Sequence, residues 1–228
     1  MEIISLHGTE DMNHVVFFDL DRTLISAISG RELAKGALRQ GLISFPVLIK
    51  AAYLSLVNKL SLKDPFTIID NMTGWLKGVP AETIKSLCSR VTGDALIPSV
   101  FPAARLEIDK HRMEGASVVI LSSALSQICI EMADYLGIDD VLCSEIEIVN
   151  GYCTGFLKGP PCFGEEKMKR LRSYCEINNN KTDKSWYYGD SIHDLPALSV
   201  AGHPVCINPD RKLRKTAMEK KWEIQYWH

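Results

Sequence analysis

Two carboxylates spaced two residues apart follow directly on a run of strand-forming apolar residues. The run is Val15–Phe18, and the acids are Asp19 and Asp21. A buried strand that ends here would present both acids together at its carboxyl end. Two such close acids repel each other unless a metal ion or a proton lies between them. The pair therefore indicates metal or proton chemistry, and Thr23 adds a hydroxyl group two residues later.

The elements that must position these acids alternate along the second half of the chain. Helix-like segments separate four short apolar runs, which lie at 116–121, 141–143, 185–188 and 203–207. Repeated strand–helix units predict a doubly wound, mainly parallel α/β sheet with helices on both faces. Asn150 and Gly151 form a turn dipeptide between two strand-like runs, which predicts a β-hairpin there.

Residues 25–97 interrupt this alternation. They contain no convincing strand and four helical patterns, at about 30–40, 43–58, 65–76 and 80–92. We therefore predict a core formed by residues 1–24 and 98–228, with a small all-helical cap at 25–97 inserted after the first strand.

Further polar residues follow the ends of the predicted strands, where ligands bind in doubly wound sheets. They are Ser122 and Ser123 after the strand at 116–121, Asp190 and Asp194 after the strand at 185–188, and Lys167 near the start of a polar helix at 164–177. Carboxylates for Mg²⁺, a nucleophile and donors to phosphate oxygens are the components of phosphoryl transfer.

These residues resemble the four motifs of the haloacid dehalogenase superfamily. The run from Asp19 to Leu24 resembles the first motif, Ser122 the second, Lys167 the third and the run 189–194 the fourth. The order and spacing agree over about 15–228, and the helical insertion resembles the cap between motifs one and two. The phosphoserine-phosphatase-like branch is the closest match. Within it, residues 162–167 and 208–222 resemble the IB-type hydrolases.

The resemblance implies a Mg²⁺-dependent phosphatase of this fold. Asp19 would be the nucleophile that forms an aspartyl-phosphate, and Asp21 would be the general acid and then the base for water. Mg²⁺ would be held by Asp19, the backbone carbonyl of Asp21, and Asp190. Asp194 would support the metal shell or orient Lys167.

The same resemblance assigns the substrate contacts. Ser122 would donate to the phosphoryl oxygens, with Ser123 and Thr23 nearby, and Lys167 would neutralise charge on the phosphate and the nucleophile. Phosphoserine phosphatases carry a glutamate nine residues after the nucleophile, which grips the substrate amine. This chain has Ile28 at that position, so we expect a small organic phosphate other than phosphoserine.

Several of these residues also have a purely structural interpretation. One of Ser122 and Ser123 would serve as an N-cap for the following helix, and Asp194 precedes a helix that it would cap in the same way. Lys158 competes with Lys167 for the role of the cationic residue. We prefer Lys167 because the start of a helix gives its side chain a fixed direction.

Composition limits the partners and the compartment. The chain has 228 residues, is 46% hydrophobic and carries a net charge of −2, which argues against a nucleic acid partner. Its seven cysteines show no paired metal-binding spacing, and the first fifteen residues show no secretory pattern. We expect a cytoplasmic enzyme whose partner is a small-molecule phosphate monoester, and the sequence leaves the oligomeric state open.

Residues 42–57 are apolar nearly all round, with Lys50 near the middle. The segment is short for a membrane span, and we interpret it as a buried cap helix. Contact with a bilayer surface, an acyl chain or a second copy is the alternative. A phosphatase acting on a lipid phosphate such as phosphatidylglycerophosphate therefore stays open, as do a phosphotransferase and a catalytically silent binding module.

Overall fold

The core of the molecule is a six-stranded parallel sheet, and the strand that precedes Asp19 lies near its centre. A computed structural model describes residues 14–44 and 73–228. The strand order is β3-β2-β1-β6-β7-β8, and every neighbouring pair is parallel. The strands are β1 (Val15–Phe18), β2 (Ser117–Leu125), β3 (Asp140–Ser144), β6 (Trp186–Gly189), β7 (His203–Ile207) and β8 (Glu223–Gln225); β4 (Ile146–Val149) and β5 (Tyr152–Leu157) form a separate hairpin.

Helices cover both faces of this sheet. Helices α1 (Ser29–Arg39) and α2 (Ala81–Val91) belong to the insertion, and the sheet is covered by α3 (Pro102–Met113), α4 (Ser126–Leu136), α5 (Glu165–Ile177), α6 (Leu195–Leu198) and α7 (Arg211–Lys220). Alternate side chains of β1 enter two different hydrophobic clusters, with Val16 and Phe18 on one face and Val15 and Phe17 on the other. The doubly wound α/β fold predicted from the sequence is therefore confirmed.

The two described helices of the insertion pack against each other through a glycine. A Cβ added at Gly36 of α1 would lie 2.7 Å from Cγ2 of Val91 and 2.9 Å from Cδ1 of Leu87, both on α2. Helices α1 and α2 correspond to the patterns at about 30–40 and 80–92. The pattern at 43–58 and most of that at 65–76 lie outside the described residues, so the cap boundaries remain a prediction.

The hairpin β4–β5 is hydrogen-bonded to the insertion and is separate from the main sheet. Its turn residues, Asn150 and Gly151, have φ values of 50° and 81°, as the predicted hairpin requires. The amide of Gly78 donates to the carbonyl of Cys153 (2.8 Å), and the amide of Cys153 donates to the carbonyl of Val79 (2.9 Å). The chain that leaves the insertion is thus joined to the hairpin by backbone bonds.

Strand β2 is longer than the sequence indicated. The chain stays extended through Ser122 and Ser123, and Leu125 pairs with Ser144 of β3 after an irregularity in register. Helix α4 consequently begins only at Ser126, without a side-chain cap. The interpretation of Ser122 or Ser123 as an N-cap is therefore wrong, because strand pairing keeps both serines out of the helix start.

The segment 42–57 is described only at its first three residues, and the interpretations placed on the remainder lie outside the described residues. Within 14–44 and 73–228, none of the helices has the length and apolar character needed to cross a bilayer.

Candidate active site

The register of the sheet brings the candidate residues to one edge. Phe18, the last residue of β1, pairs with Ile120 of β2 and with Tyr188 of β6. The amide of Asp19 donates to the carbonyl of Tyr188 (2.9 Å). Asp19 follows directly on Phe18, Ser122 lies two residues past Ile120, and Asp190 lies two residues past Tyr188. Asp19 and Asp190 therefore lie at the carboxyl ends of β1 and β6, and Ser122 lies in the second half of the neighbouring strand β2.

Lys167 connects two of the acids. Its Nζ donates to Oδ1 of Asp19 (2.7 Å) and to Oδ1 of Asp194 (2.6 Å), with the hydroxyl of Tyr187 at 3.2 Å. The side chain is 5% exposed. Lys158, in contrast, is 74% exposed and pairs with Glu145 across 3.4 Å. The structure brings Lys167 into the acidic cluster and leaves Lys158 on the surface.

Both oxygens of Asp194 accept hydrogen bonds from buried groups. Oδ1 accepts from Lys167 and from the hydroxyl of Tyr187 (2.8 Å), and Oδ2 accepts from the amide (3.2 Å) and hydroxyl (3.1 Å) of Ser191. The side chain forms a capping box with Ser191 in the turn Ile192–Asp194 and makes no cap bond to α6. The predicted helix cap on α6 is therefore wrong, since its oxygens are used by Lys167 and the loop.

Asp21 is held by the first residue of α1. Its Oδ1 accepts from the amide of Ser29 (2.8 Å) and its Oδ2 accepts from the hydroxyl of Ser29 (2.9 Å). Arg22, which follows Asp21 directly, has a positive φ of 62°, so the chain turns sharply before it reaches α1. The guanidinium of Arg22 is half-exposed, and its Nε lies 3.9 Å from Oδ2 of Asp190.

The remaining predicted substrate residues differ in exposure. Ser122 is buried, and its hydroxyl oxygen accepts from the amide of Ala124 (3.3 Å), while Ser123 is exposed. Thr23 is fully buried, and its hydroxyl has no hydrogen-bond partner among the residues that the structure describes. Ile28 is 41% exposed directly before Ser29. Ser122 and Thr23 thus provide buried hydroxyls, whereas Ser123 and Ile28 are exposed to solvent.

Burial dominates the electrostatics of the cluster. It raises the pKa of Asp19 to about 7, against the opposing charge of Lys167, and raises that of Asp190 to about 8, with the charges of Asp19 and Asp194 adding to the effect. The pKa of Asp21 is also raised by burial. Burial would raise the pKa of Asp194 too, but the ammonium of Lys167 outweighs it and lowers this pKa.

This arrangement suits a divalent cation. Carboxylate oxygens of Asp19, Asp190 and Asp194 lie within 4.8 Å of one another, and Mg²⁺ prefers oxygen ligands. Among the described residues, the carboxylates of Asp19, Asp21, Asp190 and Asp194 have two cations near them, Lys167 and Arg22. When all four are ionised, two negative charges are left without a protein cation, and a divalent cation would compensate them.

Sequence reasoning missed the residues that hold the site together. Tyr187 looks like an ordinary strand residue, and Ser29 and Ser191 have no spacing that marks them. Asp210 has a helix-cap signature before a basic helix, and its Oδ1 does accept from the amides of Lys212 and Leu213 (both 2.8 Å). No sequence signal showed that its Oδ2 also accepts from the amide of Ile192 (2.9 Å), in the loop of Asp190 and Asp194.

The region that contains these motifs matches a known family. The model of the haloacid dehalogenase-like hydrolases matches residues 16–199, which include the four acids, Lys167 and Ser122. The chain belongs to the haloacid dehalogenase-like hydrolases. Within this HAD family it is a phosphatase-type enzyme, a phosphoric monoester hydrolase, and its relatives are phosphoserine-phosphatase-like.

Two curated relatives of this HAD hydrolase are named as phosphatases. A probable phosphatase of Mycobacterium tuberculosis is 30% identical over 91% of this chain and 73% of its own length. A histidinol-phosphatase of Neisseria meningitidis is 27% identical over 93% of this chain and 98% of its own length.

Solved structures share the fold of this HAD hydrolase. A protein of unknown function from Bordetella pertussis superposes with a TM-score of 0.84 at 22% identity, over 93% of this chain and 97% of its own. A phosphoserine phosphatase solved as an analogue of its phospho-aspartyl intermediate superposes with a TM-score of 0.70 at 17% identity, over 93% and 92% of the two chains.

Proposed function

We propose that this HAD hydrolase removes phosphate from a small organic phosphate monoester other than phosphoserine, with Mg²⁺ as cofactor and Asp19 as nucleophile. The observation that carries the proposal is the buried contact of Lys167 with both Asp19 and Asp194, next to Asp190. Several acids and one fixed ammonium at the ends of adjacent strands fit phosphoryl transfer better than any other chemistry of these residue types.

Asp19, Asp190 and the backbone carbonyl of Asp21 would hold the metal. When bound, Mg²⁺ screens the phosphate from the carboxylates, which would otherwise repel it. Asp194 has a different role in this proposal. Because each of its oxygens already accepts two protein hydrogen bonds, which fill its acceptor sites, it fixes the position of Lys167 instead of reaching a ligand.

In the first step, a carboxylate oxygen of Asp19 attacks the phosphorus atom. Lys167 holds Oδ1 at 2.7 Å, so Oδ2 is the attacking oxygen. The bond from Asp19 to phosphorus forms as the bond from phosphorus to the leaving oxygen breaks, and Asp21 gives its proton to that oxygen. The raised pKa of Asp21 favours the protonated form that this step needs.

In the second step, Asp21 takes a proton from water, which attacks the phosphorus atom of the aspartyl-phosphate. The bond to Asp19 breaks and inorganic phosphate leaves. Ser29 keeps the carboxyl of Asp21 in place through both steps, because it binds each of its oxygens. Ser122 and Thr23, whose hydroxyl has no partner within the described part of the chain, are the donors proposed for the phosphate oxygens.

The substrate class follows from the surroundings of the leaving group. Ile28 is exposed beside Ser29, where it offers an apolar contact in place of the glutamate that phosphoserine phosphatases carry. A relative that aligns over nearly its full length is a histidinol-phosphatase, which supports a small organic leaving group. Passage of the phosphate to an acceptor other than water is the competing reaction.

The test is a screen of the purified protein with Mg²⁺ against diverse phosphate monoesters, with Asp19→Asn as the control. We expect release of inorganic phosphate by the wild type and loss of release by about 10³-fold or more in the variant. Reduction with borohydride during turnover should convert Asp19, and no other aspartate, to homoserine. Equal turnover by the two proteins would overturn the nucleophile assignment, and phosphate found on an added alcohol would favour a phosphotransferase.

A further inference from the structure

A second group of ligand-type side chains lies at the opposite end of β1 from the active site. His14 directly precedes β1, whereas Asp19 directly follows it, so the two residues are about 16 Å apart at the usual rise of a strand. Near His14 lie His111, in the last turn of α3, and Glu114, at the end of the same helix. None of these three residues takes part in the phosphatase chemistry.

The three ligand atoms are spaced like three corners of a zinc tetrahedron. Nε2 of His14 lies 3.3 Å from Nδ1 of His111, and Oε2 of Glu114 lies 3.6 Å from Nδ1 of His111 and 3.9 Å from Nε2 of His14. Tetrahedral zinc with bonds of about 2.0–2.2 Å places its ligands about 3.3–3.6 Å from one another. Only Glu114, which is half-exposed, needs a small shift.

A chain of hydrogen bonds directs the lone pair on Nδ1 of His111 toward the space between the three ligand atoms. The hydroxyl of Tyr188 donates to Oε1 of Glu107 (2.9 Å), so it accepts from Nε2 of His111 (2.8 Å). A neutral ring that donates from Nε2 carries its lone pair on Nδ1. A carboxylate-supported partner on the far nitrogen is the usual way in which proteins orient a metal-binding histidine.

The surroundings keep the imidazole neutral and the ligands in place. His111 is fully buried, and burial lowers its pKa to about 4. Glu107 lies 3.6 Å from Nε2 of His111 and is paired with Lys110 (2.9 Å), and the ring of Trp186 packs against His111 with centroids 5.0 Å apart. The three ligand atoms lie at the carbonyl end of α3, where the helix dipole favours a bound cation.

We propose that His14, His111 and Glu114 form a zinc site at the amino end of β1, with water as the fourth ligand. Two imidazoles and one carboxylate suit Zn²⁺ and are a poor set for Mg²⁺, which prefers oxygen alone. The ion would join the residue before β1 to the end of α3. The competing interpretation of the same distances is a hydrogen bond from His14 to His111 that binds no metal.

The test measures zinc uptake by the full chain after removal of any histidine tag and treatment with a chelator. All measurements use the Asp190→Asn variant, because this change weakens zinc binding at the carboxylate cluster of the active site. Millimolar Mg²⁺ is added to occupy the carboxylates that remain there. In this background we introduce His14→Gln or Glu114→Gln, both at partly exposed positions. Asp109→Asn is the matched control, since Asp109 is exposed on the same helix and pairs only with Arg112 among the described ion pairs.

We expect one Zn²⁺ per chain in the background protein and in the Asp109→Asn variant, together with the visible absorption of tetrahedral Co²⁺ when cobalt replaces zinc. His14→Gln and Glu114→Gln should each weaken zinc binding by about 10-fold or more. Zinc should also raise the midpoint of thermal unfolding only where the three ligands are intact. Equal zinc affinity in the ligand variants and the control, or no uptake by the background protein, would overturn the proposal.

Discussion

Lys167 places its ammonium 2.7 Å from Oδ1 of Asp19, although the two residues are separated by 148 positions in the chain. The same ammonium lies 2.6 Å from Asp194. Because all three groups are buried, each depends on the others for its charge state, and Lys167 keeps a pKa well above its ordinary value against the effect of burial. This contact ties the start of α5 to the end of β1.

Replacement of Lys167 by Met should therefore reduce both activity and stability. We expect kcat/KM to fall by about 10²–10³-fold, as for the loss of one preorganised donor, and the free energy of unfolding to fall by about 3 kcal/mol because two buried acids lose their partner. Steady-state kinetics and urea unfolding measure the two effects. Lys158→Met is the control, because Lys158 is exposed, and an equal loss there would refute the assignment.

Magnesium binding should depend on pH in a defined direction. In the metal-free protein burial raises the pKa values of Asp19 and Asp190 to about 7 and 8, so both acids lose their protons between about pH 6 and 9. A metal binds only the deprotonated carboxylates. The affinity for Mg²⁺ should therefore rise as pH increases from 6 to 9, by up to about tenfold per unit for each proton released.

Isothermal titration in buffers of different ionisation enthalpy counts these protons directly. Chelator treatment should abolish activity, and added Mg²⁺ should restore it. A Mg²⁺ affinity that is constant between pH 6 and 9 would contradict the proposed role of the two acids.

Ser29→Ala should alter the acid–base behaviour of Asp21 more than the binding of substrate. The hydroxyl of Ser29 stabilises the carboxylate form, so its removal should raise the pKa of Asp21 further. We expect kcat to fall by about tenfold because the carboxyl loses one of its two positioning contacts. The alkaline limb of the pH–rate profile should move upward, because Asp21 would keep its proton to higher pH.

Ser29→Thr keeps the hydroxyl and should recover most of the rate and the original profile. If Ser29→Ala lowered kcat without any movement of the alkaline limb, Ser29 would have only a structural role.

Gly36→Ala should destabilise the packing of α1 on α2. The added methyl group would lie 2.7 Å from Val91 and 2.9 Å from Leu87. We expect the free energy of unfolding to fall by about 1–2 kcal/mol because of overpacking. This is the net change, after the gain of up to about 1 kcal/mol that alanine brings to a helix. Urea unfolding measures the change, and Val91→Ala in the same chain should restore part of it.

Gly93→Ala is the matched control, because a methyl group at Gly93 would meet nothing within 4 Å. An equal loss in Gly93→Ala would mean that the contact with Val91 and Leu87 is not the cause.

Local patterns predicted most of the core but not the contacts that complete the site. The apolar run of β1 and the acids after it predicted which edge of the sheet carries the candidate site, because parallel strands bring their carboxyl ends together. The end of β2 was placed too early, since Ser122 and Ser123 are polar although their backbone stays extended. The contacts of Ser29 with Asp21 and of Tyr187 with Lys167 depend on tertiary packing, which no spacing in the chain encodes.

Backbone hydrogen bonds join the hairpin β4–β5 to residues 78–81 of the insertion. Thr73 adds a further bond from its hydroxyl to the carbonyl of Gly155 (2.9 Å). The same strand continues toward α5 and Lys167. The insertion is therefore attached, through the hairpin, to the segment of chain that leads into α5, the helix that carries Lys167.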